Sequence, residues 1–280
     1  MKIVPSQDVI GAEIFGADLA QPLSDAEFDR IEATFNKHAV LCFRDQQLGE
    51  PQLIAFARRF GEVERIFLTH YAHPKYPEIM LVSNIKENGR DIGHADAGRV
   101  WHTDMSYTAQ PPRATLLYAL EVPVENGVTL GDTLFSSAAD AHDSLPPEGR
   151  QRIAQLRAIH QVAGRRARTG TGQTDQALRH QQPAVVHPVV RTHPHTGRKC
   201  PYVSKGECEG IEGIPQDEAL ALIDELADRT VAPEFRHIHR WRVRDLLMWD
   251  NCAVQHLASH DYEWPRHRRL MHRVTVGACA

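Results

Sequence analysis

The chain has 280 residues, and a domain of this length removes about three quarters of its unfolded surface from water, so it can bury a large apolar core. Hydrophobic residues make up 42% and charged residues 24%, which is typical of globular proteins and unlike disordered ones. The net charge of −4 argues against a dedicated nucleic-acid-binding protein, and no apolar run approaches the roughly 18 residues of a membrane span.

Helices are predicted at several points along the chain. The residues before them, 1–9, lack the apolar core of a signal peptide, which favours a cytoplasmic protein. Ser24 and Glu27 have the spacing of a capping box, so they predict a helix that extends to Ala39. Further helices are predicted over Pro51–Arg59, Ser137–Leu145, Pro147–Leu156 and Pro215–Ala227.

Short apolar segments predict strands throughout the chain. They are Val40–Phe43, Ile79–Ile85, Thr115–Val122, Asp132–Phe135, Val185–Val190, Pro201–Val203, Arg236–Val243, Leu246–Trp249 and Arg269–Val276. No internal repeat or linker divides them. We therefore expect one mixed α+β domain over residues 1–280, and many short strands suit a double-sheet jelly roll with flanking helices.

The polar segment Gln161–Gln182 has almost no apolar periodicity, which predicts an exposed loop or lid. It carries the basic cluster Arg165, Arg166, Arg168 and Arg179. The cluster lacks the interleaved aromatic residues that stack on nucleic-acid bases. A solvated lid that steers an anionic substrate is the better interpretation.

The histidines, and not the cysteines, are the candidates for a metal or catalytic site. The five cysteines are scattered with no CxxC spacing, so a zinc–cysteine site is not expected, and Cys42 is predicted to be a buried thiol. Seventeen histidines and 36 acidic residues would give about two His-x-acid triplets by chance, and the sequence has two. They begin at His94 and His102, so context has to separate them.

The triplet His102-Thr103-Asp104 follows Trp101 and is the better candidate, because His94-Ala95-Asp96 lies in a charged, Gly-flanked loop. On a strand, residues two apart point to one face, so His102 and Asp104 could bind one metal ion. Two His and one carboxylate form the facial triad of non-haem Fe(II) oxygenases.

A third metal ligand must come from elsewhere in the chain. His256 follows the apolar strand Leu246–Trp249 and a turn at Asp250-Asn251, and His260 is the competing candidate. A lone histidine in such a place is more often a satisfied core residue than a ligand.

The last strand carries two arginines. Arg269, Met271 and Arg273 alternate onto one face, and Arg is suited to binding a carboxylate through two parallel hydrogen bonds. The alternative interpretation is an exposed edge strand with solvated charges.

Several segments in chain order resemble the α-ketoglutarate-dependent taurine dioxygenase family, which includes herbicide-degrading aryloxyalkanoate dioxygenases. The similar segments are Gly11–Ile14, Gly16–Leu19, Phe43–Gln46, Phe60-Gly61, Trp101–Asp104, Gly131–Leu134, His187–Pro194, Trp249–Asn251 with His256, and Arg268–Arg273. Each segment alone is a weak signal, but together they cover nearly the whole chain.

The resemblance implies a double-stranded β-helix with the metal at one mouth. It implies Fe(II) bound by His102, Asp104 and His256. It also implies α-ketoglutarate (2-oxoglutarate) as cosubstrate, with its distal carboxylate on Arg269 beside the hydroxyl of Thr133. The implied reaction uses O2, releases succinate and CO2, and hydroxylates a C–H bond of the substrate.

For the substrate, the resemblance implies a small anionic molecule such as a sulfonate, alkyl sulfate or aryloxyalkanoate, with the anion on Arg273. His70, Tyr71 and Met105 are further candidates for substrate contacts. An aromatic wall of the taurine enzyme is missing around Glu207–Glu209, so taurine itself is not the expected substrate. We expect no membrane or nucleic-acid partner and a homo-oligomer of undetermined size.

Two other functions remain open at this point. A zinc-dependent hydrolase could use the same three ligands with a bound water. It would not need Arg269 and Thr133 for a dicarboxylate. A non-catalytic jelly-roll binding module is the other alternative, and it would have no reason to keep all three ligands.

Overall fold

The computed structural model describes residues 1–66, 68–162, 164–165, 179 and 181–278. Most of the predicted lid Gln161–Gln182, including Arg166 and Arg168, lies outside the described residues. Two described residues of this segment form ion pairs. Arg165 forms an ion pair with Asp224, and Arg179 with Glu209 at 2.7 Å.

The described part of the chain is mixed α and β, with more strands than helices. The helices are α1 Asp25–His38, α2 Glu50–Arg58, α3 Ala138–Asp143, α4 Pro147–Ile153 and α5 Gln216–Thr230. The strands are β1 Lys2–Pro5, β2 Ala12–Phe15, β3 Val40–Phe43, β4 Ile79–Ser83, β5 Lys86–Glu87, β6 Arg90–Asp91, β7 Pro112–Glu121, β8 Val124–Glu125, β9 Val128–Thr129, β10 Thr133–Ser137, β11 Arg157–His160, β12 Val185–Pro188, β13 Val190–Thr192, β14 Lys199–Pro201, β15 Cys208–Ile211, β16 Arg236–His239, β17 Leu246–Asp250, β18 Val254–Ala258 and β19 Leu270–Ala278.

Helix α1 begins as the capping box predicted. The Ser24 hydroxyl accepts from the Glu27 N–H, and the Glu27 carboxylate accepts from the Ser24 N–H. The helix ends at Ala39, which adopts a left-handed conformation with φ of 59° and leads directly into β3. A left-handed residue after the last turn is a common helix ending.

A seven-stranded sheet in the order β1-β2-β3-β17-β7-β19-β4 forms the larger layer. A three-stranded sheet in the order β16-β10-β18 forms the smaller one. Strand β19 lies second from the edge of the large sheet, between β7 and β4. Most predicted strands occur close to their expected places, although Pro201–Val203 overlaps β14 only at Pro201. Strands β1, β2, β5, β6, β8, β9, β11, β15 and β18 were not predicted.

Alternation along each strand separates two cores. On β3, Leu41 and Phe43 face helices α1 and α2, whereas Val40 and Cys42 face the small sheet. The inner cluster joins residues of both sheets, such as Leu117 from β7 and Phe135 from β10. The side chains on this inner side of the large sheet are therefore the ones that can reach a site between the sheets.

The predicted strand Arg236–Val243 is wrong over its second half. Strand β16 ends at His239, and the chain then turns through Arg244, whose φ is 71°. The Asp245 N–H donates to the Arg242 carbonyl across this turn. The turn sends the chain from the small sheet into β17 of the large sheet.

A separate apolar cluster lies under α5. It packs Leu222, Ile223 and Leu226 of the helix against Ala158 of β11 and Ile211 of β15. Among the described residues, no helix is both long and apolar enough to cross a membrane.

Candidate active site

Three side chains that could bind a metal converge between the two sheets. His102, Asp104 and His256 each offer one ligand atom, and these three atoms lie within 4.8 Å of one another. Asp104 Oδ1 lies 3.6 Å from His102 Nε2 and 3.8 Å from His256 Nε2. One carboxylate oxygen thus faces two imidazole nitrogens, the arrangement that a shared cation requires.

Backbone pairing joins the two histidines. The His102 N–H donates to the His256 carbonyl at 3.1 Å, and the His256 N–H donates to the His102 carbonyl at 2.8 Å. His256 lies on β18, whereas His102 lies outside the named strands and pairs only at this one position. The expectation that His102 and Asp104 share a strand is therefore wrong. The chain turns at Met105, whose φ is 52°, directly after the pair.

Hydrogen bonds orient the candidate ligands. His102 Nδ1 lies 2.8 Å from the Val100 carbonyl, so it carries the proton and leaves the Nε2 lone pair for a metal. Asp104 Oδ2 accepts from the Thr115 hydroxyl at 2.6 Å. Thr115 accepts in turn from the Asn251 amide at 3.1 Å. These bonds leave Asp104 Oδ1 as the oxygen directed at the histidines.

Two of the three candidate ligands, Asp104 and His256, are in the charge state that binds a metal. Burial raises the pKa of Asp104, but the Arg273 charge and the two imidazoles outweigh it and hold the pKa well below its usual range. Burial and the neighbouring His102 lower the pKa of His256 to about 3. At neutral pH the carboxylate is therefore charged and the His256 ring is neutral, which are the forms that bind metals.

Of the two arginines in the predicted last strand, Arg273 contacts this site directly, and Arg269 is buried just before β19. Arg273 Nη2 lies 3.0 Å from Asp104 Oδ1, and its side chain is 17% exposed. Arg269 is 3% exposed, and its Nη2 lies 3.1 Å from the Met271 sulfur on the same face of β19. The alternative of an exposed edge strand with solvated charges is wrong, because β19 has a partner on each side.

Polar groups surround Arg269, and its guanidinium forms no ion pair with an acidic residue in the described part of the chain. Its Nη1 donates to the Gly131 carbonyl at 3.1 Å and lies 3.3 Å from the Tyr262 hydroxyl. Its buried Nε has no hydrogen-bond partner among the described residues. The guanidinium also lies over the ring of Trp241, whose Nε1 donates to the Thr133 hydroxyl at 3.0 Å. A buried cation with unused donors beside a hydroxyl is suited to a carboxylate.

The other predicted site residues differ in their burial and local contacts. His70 and Tyr71 belong to a 3₁₀ turn, with His70 exposed and the Tyr71 ring packed on His70 and His94. Met105 lies at the turn after Asp104 and is partly buried. The competing ligand His260 stacks on Tyr262, with the ring centroids 5.9 Å apart.

The alternative triplet is not arranged like the first. Asp96 forms an ion pair with Arg99, with a hydrogen bond of 2.9 Å. The His94 ring packs against Tyr71, and its backbone N–H donates to Leu81. The acid of this triplet is thus engaged by a cation. Of the two His-x-acid triplets, only the one at His102 belongs to a group that could hold a metal in the described part of the chain.

Several polar residues at the site have no signal in the sequence. Thr115 is fully buried inside the apolar strand β7, where a threonine usually indicates only β propensity. Trp241 and Tyr262 contact Arg269 from loops between the observed strands. Glu64 lies close enough to Arg273 for that charge to lower its pKa, although burial raises the pKa overall.

Comparison with known proteins gives a family match along the chain. Residues 2–275 match the model for "Taurine catabolism dioxygenase TauD, TfdA family". The chain is 33% identical to an α-ketoglutarate-dependent 2,4-dichlorophenoxyacetate dioxygenase of Cupriavidus pinatubonensis, over 97% of this chain and 96% of that protein. It is 32% identical to pentalenolactone F synthase of Streptomyces arenae, over 95% and 91% of the two chains.

The fold also has a solved counterpart. The crystal structure of AAD-2 in complex with Mn(II) and N-oxalylglycine superimposes with a TM-score of 0.81 and 29% identity. The match covers 100% of this chain and 98% of that one. The similarity in sequence and in structure therefore extends over nearly the whole chain.

Proposed function

The chain belongs to the taurine catabolism dioxygenase TauD, TfdA family, and on that premise we propose that it is an Fe(II)- and α-ketoglutarate-dependent dioxygenase that hydroxylates a C–H bond of a small anionic substrate. One observation carries the proposal: Asp104 Oδ1 lies between His102 Nε2 and His256 Nε2, at 3.6 and 3.8 Å. Two His and one carboxylate on one side of an iron leave three positions for cosubstrate and O2.

His102, Asp104 and His256 would hold the iron. Their donor set fits the metal, because the Val100 carbonyl fixes the tautomer of His102 and Thr115 holds Asp104. Bound iron supplies the activation of O2 that drives oxidation of α-ketoglutarate to succinate and CO2. The task of the protein is to position both organic molecules and exclude water.

Arg269 would bind the distal carboxylate of α-ketoglutarate, with the Thr133 hydroxyl as a second donor. Its guanidinium is buried between Trp241 and Tyr262, and its Nε has no partner in the described residues. A desolvated, unused donor gains more from a charged acceptor than an exposed one does. The N-oxalylglycine in the solved relative has two carboxylates, as α-ketoglutarate does.

Arg273 would bind the anionic group of the substrate. It lies beside Asp104 Oδ1, so an anion held by it would place the rest of the substrate next to the iron. We assign a sulfonate, an alkyl sulfate or an aryloxyalkanoate as the substrate class, in line with the names of the family and of the 2,4-dichlorophenoxyacetate dioxygenase. His70, Tyr71 and Met105 are proposed substrate contacts.

The proposal includes the wider architecture. The seven-stranded and three-stranded sheets, joined by one apolar cluster, are consistent with a double-stranded β-helix that forms a single domain. Residues 161–182 would close over the bound substrate, and the enzyme would act in the cytoplasm as a homo-oligomer.

Succinate release tests the proposed reaction. The Fe(II)-loaded protein is supplied with α-ketoglutarate and a panel of sulfonates, alkyl sulfates and aryloxyalkanoates, and succinate formed above the uncoupled background is measured. A member of one class should stimulate release. The variant Arg273→Gln should raise the KM of that substrate more than the KM of α-ketoglutarate.

Two results would contradict the proposal. No stimulation by any anion, with iron and cosubstrate bound, would remove the substrate assignment. Equal turnover by Arg273→Gln would remove the anion contact. The comparisons give no support to a zinc hydrolase at this site, and substrate-dependent succinate release would exclude a binding module.

A further inference from the structure

A second group of potential ligands lies between the sheets at a different place. Cys42 on β3, His239 at the end of β16 and Asp245 just before β17 each offer one ligand atom, and these atoms lie within 4.8 Å of one another. All three residues are at most 3% exposed. Cys42 is distant in the chain from His239 and Asp245, so no spacing in the sequence indicates the complete group.

The distances suit a small cation. His239 Nε2 lies 3.3 Å from Asp245 Oδ2. Two ligands at the roughly 2.0 Å bond lengths of tetrahedral zinc are separated by about 3.3 Å, and a sulfur ligand lies about 3.5 Å from its neighbours. A metal would bind Asp245 through Oδ1, because Oδ2 already accepts from Arg44 and from the Arg242 N–H at 2.8 Å.

Two buried atoms of this group have no hydrogen-bond partner in the part of the chain that the structure describes. They are His239 Nε2 and Asp245 Oδ1. Burying a polar atom without a partner costs about 1–3 kcal/mol, so such atoms call for an explanation. A metal bound by both would satisfy both.

The group has access to solvent through a cavity of about 660 Å³ at the open edge between β2, β3 and β16. Cys42 and His239 line this cavity, together with Glu13, Arg44 and the β8–β9 turn at Gly127–Thr129. A metal at the three ligands would have its remaining position on the cavity side. The cavity could therefore admit the ion and a small ligand bound to it.

The surrounding charges permit a divalent cation. Arg44 contacts Asp245 Oδ2 at 2.5 Å and also pairs with Glu13, and its charge opposes a second cation. The negative groups are Glu13, Asp245 and, once deprotonated, the Cys42 thiolate. Three negative charges equal those of Arg44 and one divalent ion, and the further cations on the cavity wall, Arg240 and Arg242, are exposed to solvent and ions that screen them.

We propose that Cys42, His239 and Asp245 form a second metal site, which takes zinc or a zinc-like divalent cation and has an open position toward the cavity. On binding, the Cys42 S–H bond breaks, the sulfur bonds to the metal and the proton leaves to solvent. A thiolate ligand favours zinc and cobalt over magnesium or calcium. The site is independent of the proposed iron centre, which has no sulfur ligand.

Cobalt(II) distinguishes this site from other sites, because only a thiolate ligand gives an intense near-ultraviolet sulfur-to-cobalt charge-transfer band. Full-length protein freed of metal is titrated with Co(II), and the band is followed. We expect a band that saturates at one ion per chain and is displaced by Zn(II). The band should persist in His256→Ala, so failure of the iron centre would not affect it.

Variants assign the band to its ligands. Cys42→Ser and His239→Gln should each abolish the band or weaken the affinity at least tenfold. If one of them does not fold, the other still decides. The matched control is Cys208→Ser, because Cys208 is also buried and its sulfur lies 3.6 Å from His160 Nε2.

The proposal is overturned if wild-type protein gives no thiolate band. It is also overturned if the band survives Cys42→Ser and is lost in Cys208→Ser or Cys200→Ser. Ions held by the sulfur-free group Glu50, His73 and His272 would add to the metal content but not to this band.

Discussion

His102 and His256 exchange both of their backbone hydrogen bonds, at 3.1 and 2.8 Å, so that the two imidazole rings lie 4.2 Å apart. The pair fixes the separation of two proposed iron ligands through the main chain, without relying on flexible side chains. The carboxylate of the third proposed ligand, Asp104, then needs only to be oriented toward the two imidazoles. That is the role of Thr115.

Thr115→Val should weaken metal binding while keeping the protein folded. The change removes the hydrogen bond to Asp104 Oδ2, and loss of such a bond to a ligand typically costs about 10- to 100-fold in metal affinity. Anaerobic titration with Fe(II) measures the effect. Thr230→Val is the matched control, since Thr230 is equally buried but donates to Leu226 within α5. Equal metal affinity of the two variants would contradict this role.

Arg269→Gln should weaken α-ketoglutarate binding about 10- to 100-fold, because a hydrogen bond to a charged group contributes about 1.5–3 kcal/mol. The KM for α-ketoglutarate measures it. Arg268→Gln is the control, because the neighbouring Arg268 is exposed and pairs with Glu121 at 2.7 Å. A variant at Arg269 with an unchanged KM would show that the carboxylate binds elsewhere.

Trp241→Phe should also raise the KM for α-ketoglutarate, but less than Arg269→Gln does. Phenylalanine keeps most of the packing on Arg269 and loses the Nε1–H that holds the Thr133 hydroxyl. The Thr133 hydroxyl would then rotate freely. The double variant Trp241→Phe with Thr133→Val should have the same KM for α-ketoglutarate as Thr133→Val alone, because the effect of Trp241 passes through the Thr133 hydroxyl. Additive effects would contradict the link.

Stability should fall as the pH drops below about 6.5, the ordinary pKa of an unfolded histidine. Burial and the neighbouring His187 lower the pKa of His160 to about 3, so between these values the unfolded chain binds a proton that the folded chain does not. The unfolded state is therefore favoured by up to about 1.4 kcal/mol per pH unit from this residue. His160→Gln should flatten the dependence in urea unfolding at pH 7, 6 and 5. His70→Gln, at an exposed residue, should not.

Local signals in the sequence were sufficient for α1 and for the face of the last strand. The Ser24–Glu27 capping box specifies a helix start by itself, and alternation places Arg269 and Arg273 on one face of any strand. Strands β2, β15 and β18 were missed, because each has only four or five residues and, unlike β3, mixes apolar residues with polar residues or glycine. Short strands of this kind have no pattern of their own.

The same limit applies to the candidate site: local signals indicated some of its residues, but not those that depend on contacts distant in the chain. The sequence offered two triplets and its local context favoured His102-Thr103-Asp104, but the pairing that brings His102 to His256 on β18 is visible only in the structure. Thr115 could not be predicted, since a threonine on a buried strand has the same appearance in sequence whether or not it contacts a ligand. The group of Cys42, His239 and Asp245 is likewise assembled entirely by the sheet topology.

The central claim is that His102, Asp104 and His256 hold one iron that α-ketoglutarate chelates. Anaerobic titration of metal-free protein with Fe(II) and α-ketoglutarate tests it directly through the weak visible charge-transfer band of the chelate. We predict a band in the wild type and in His260→Ala, and its loss in His256→Ala. A band that survives in His256→Ala, or well-folded wild-type protein with no band, would contradict the account.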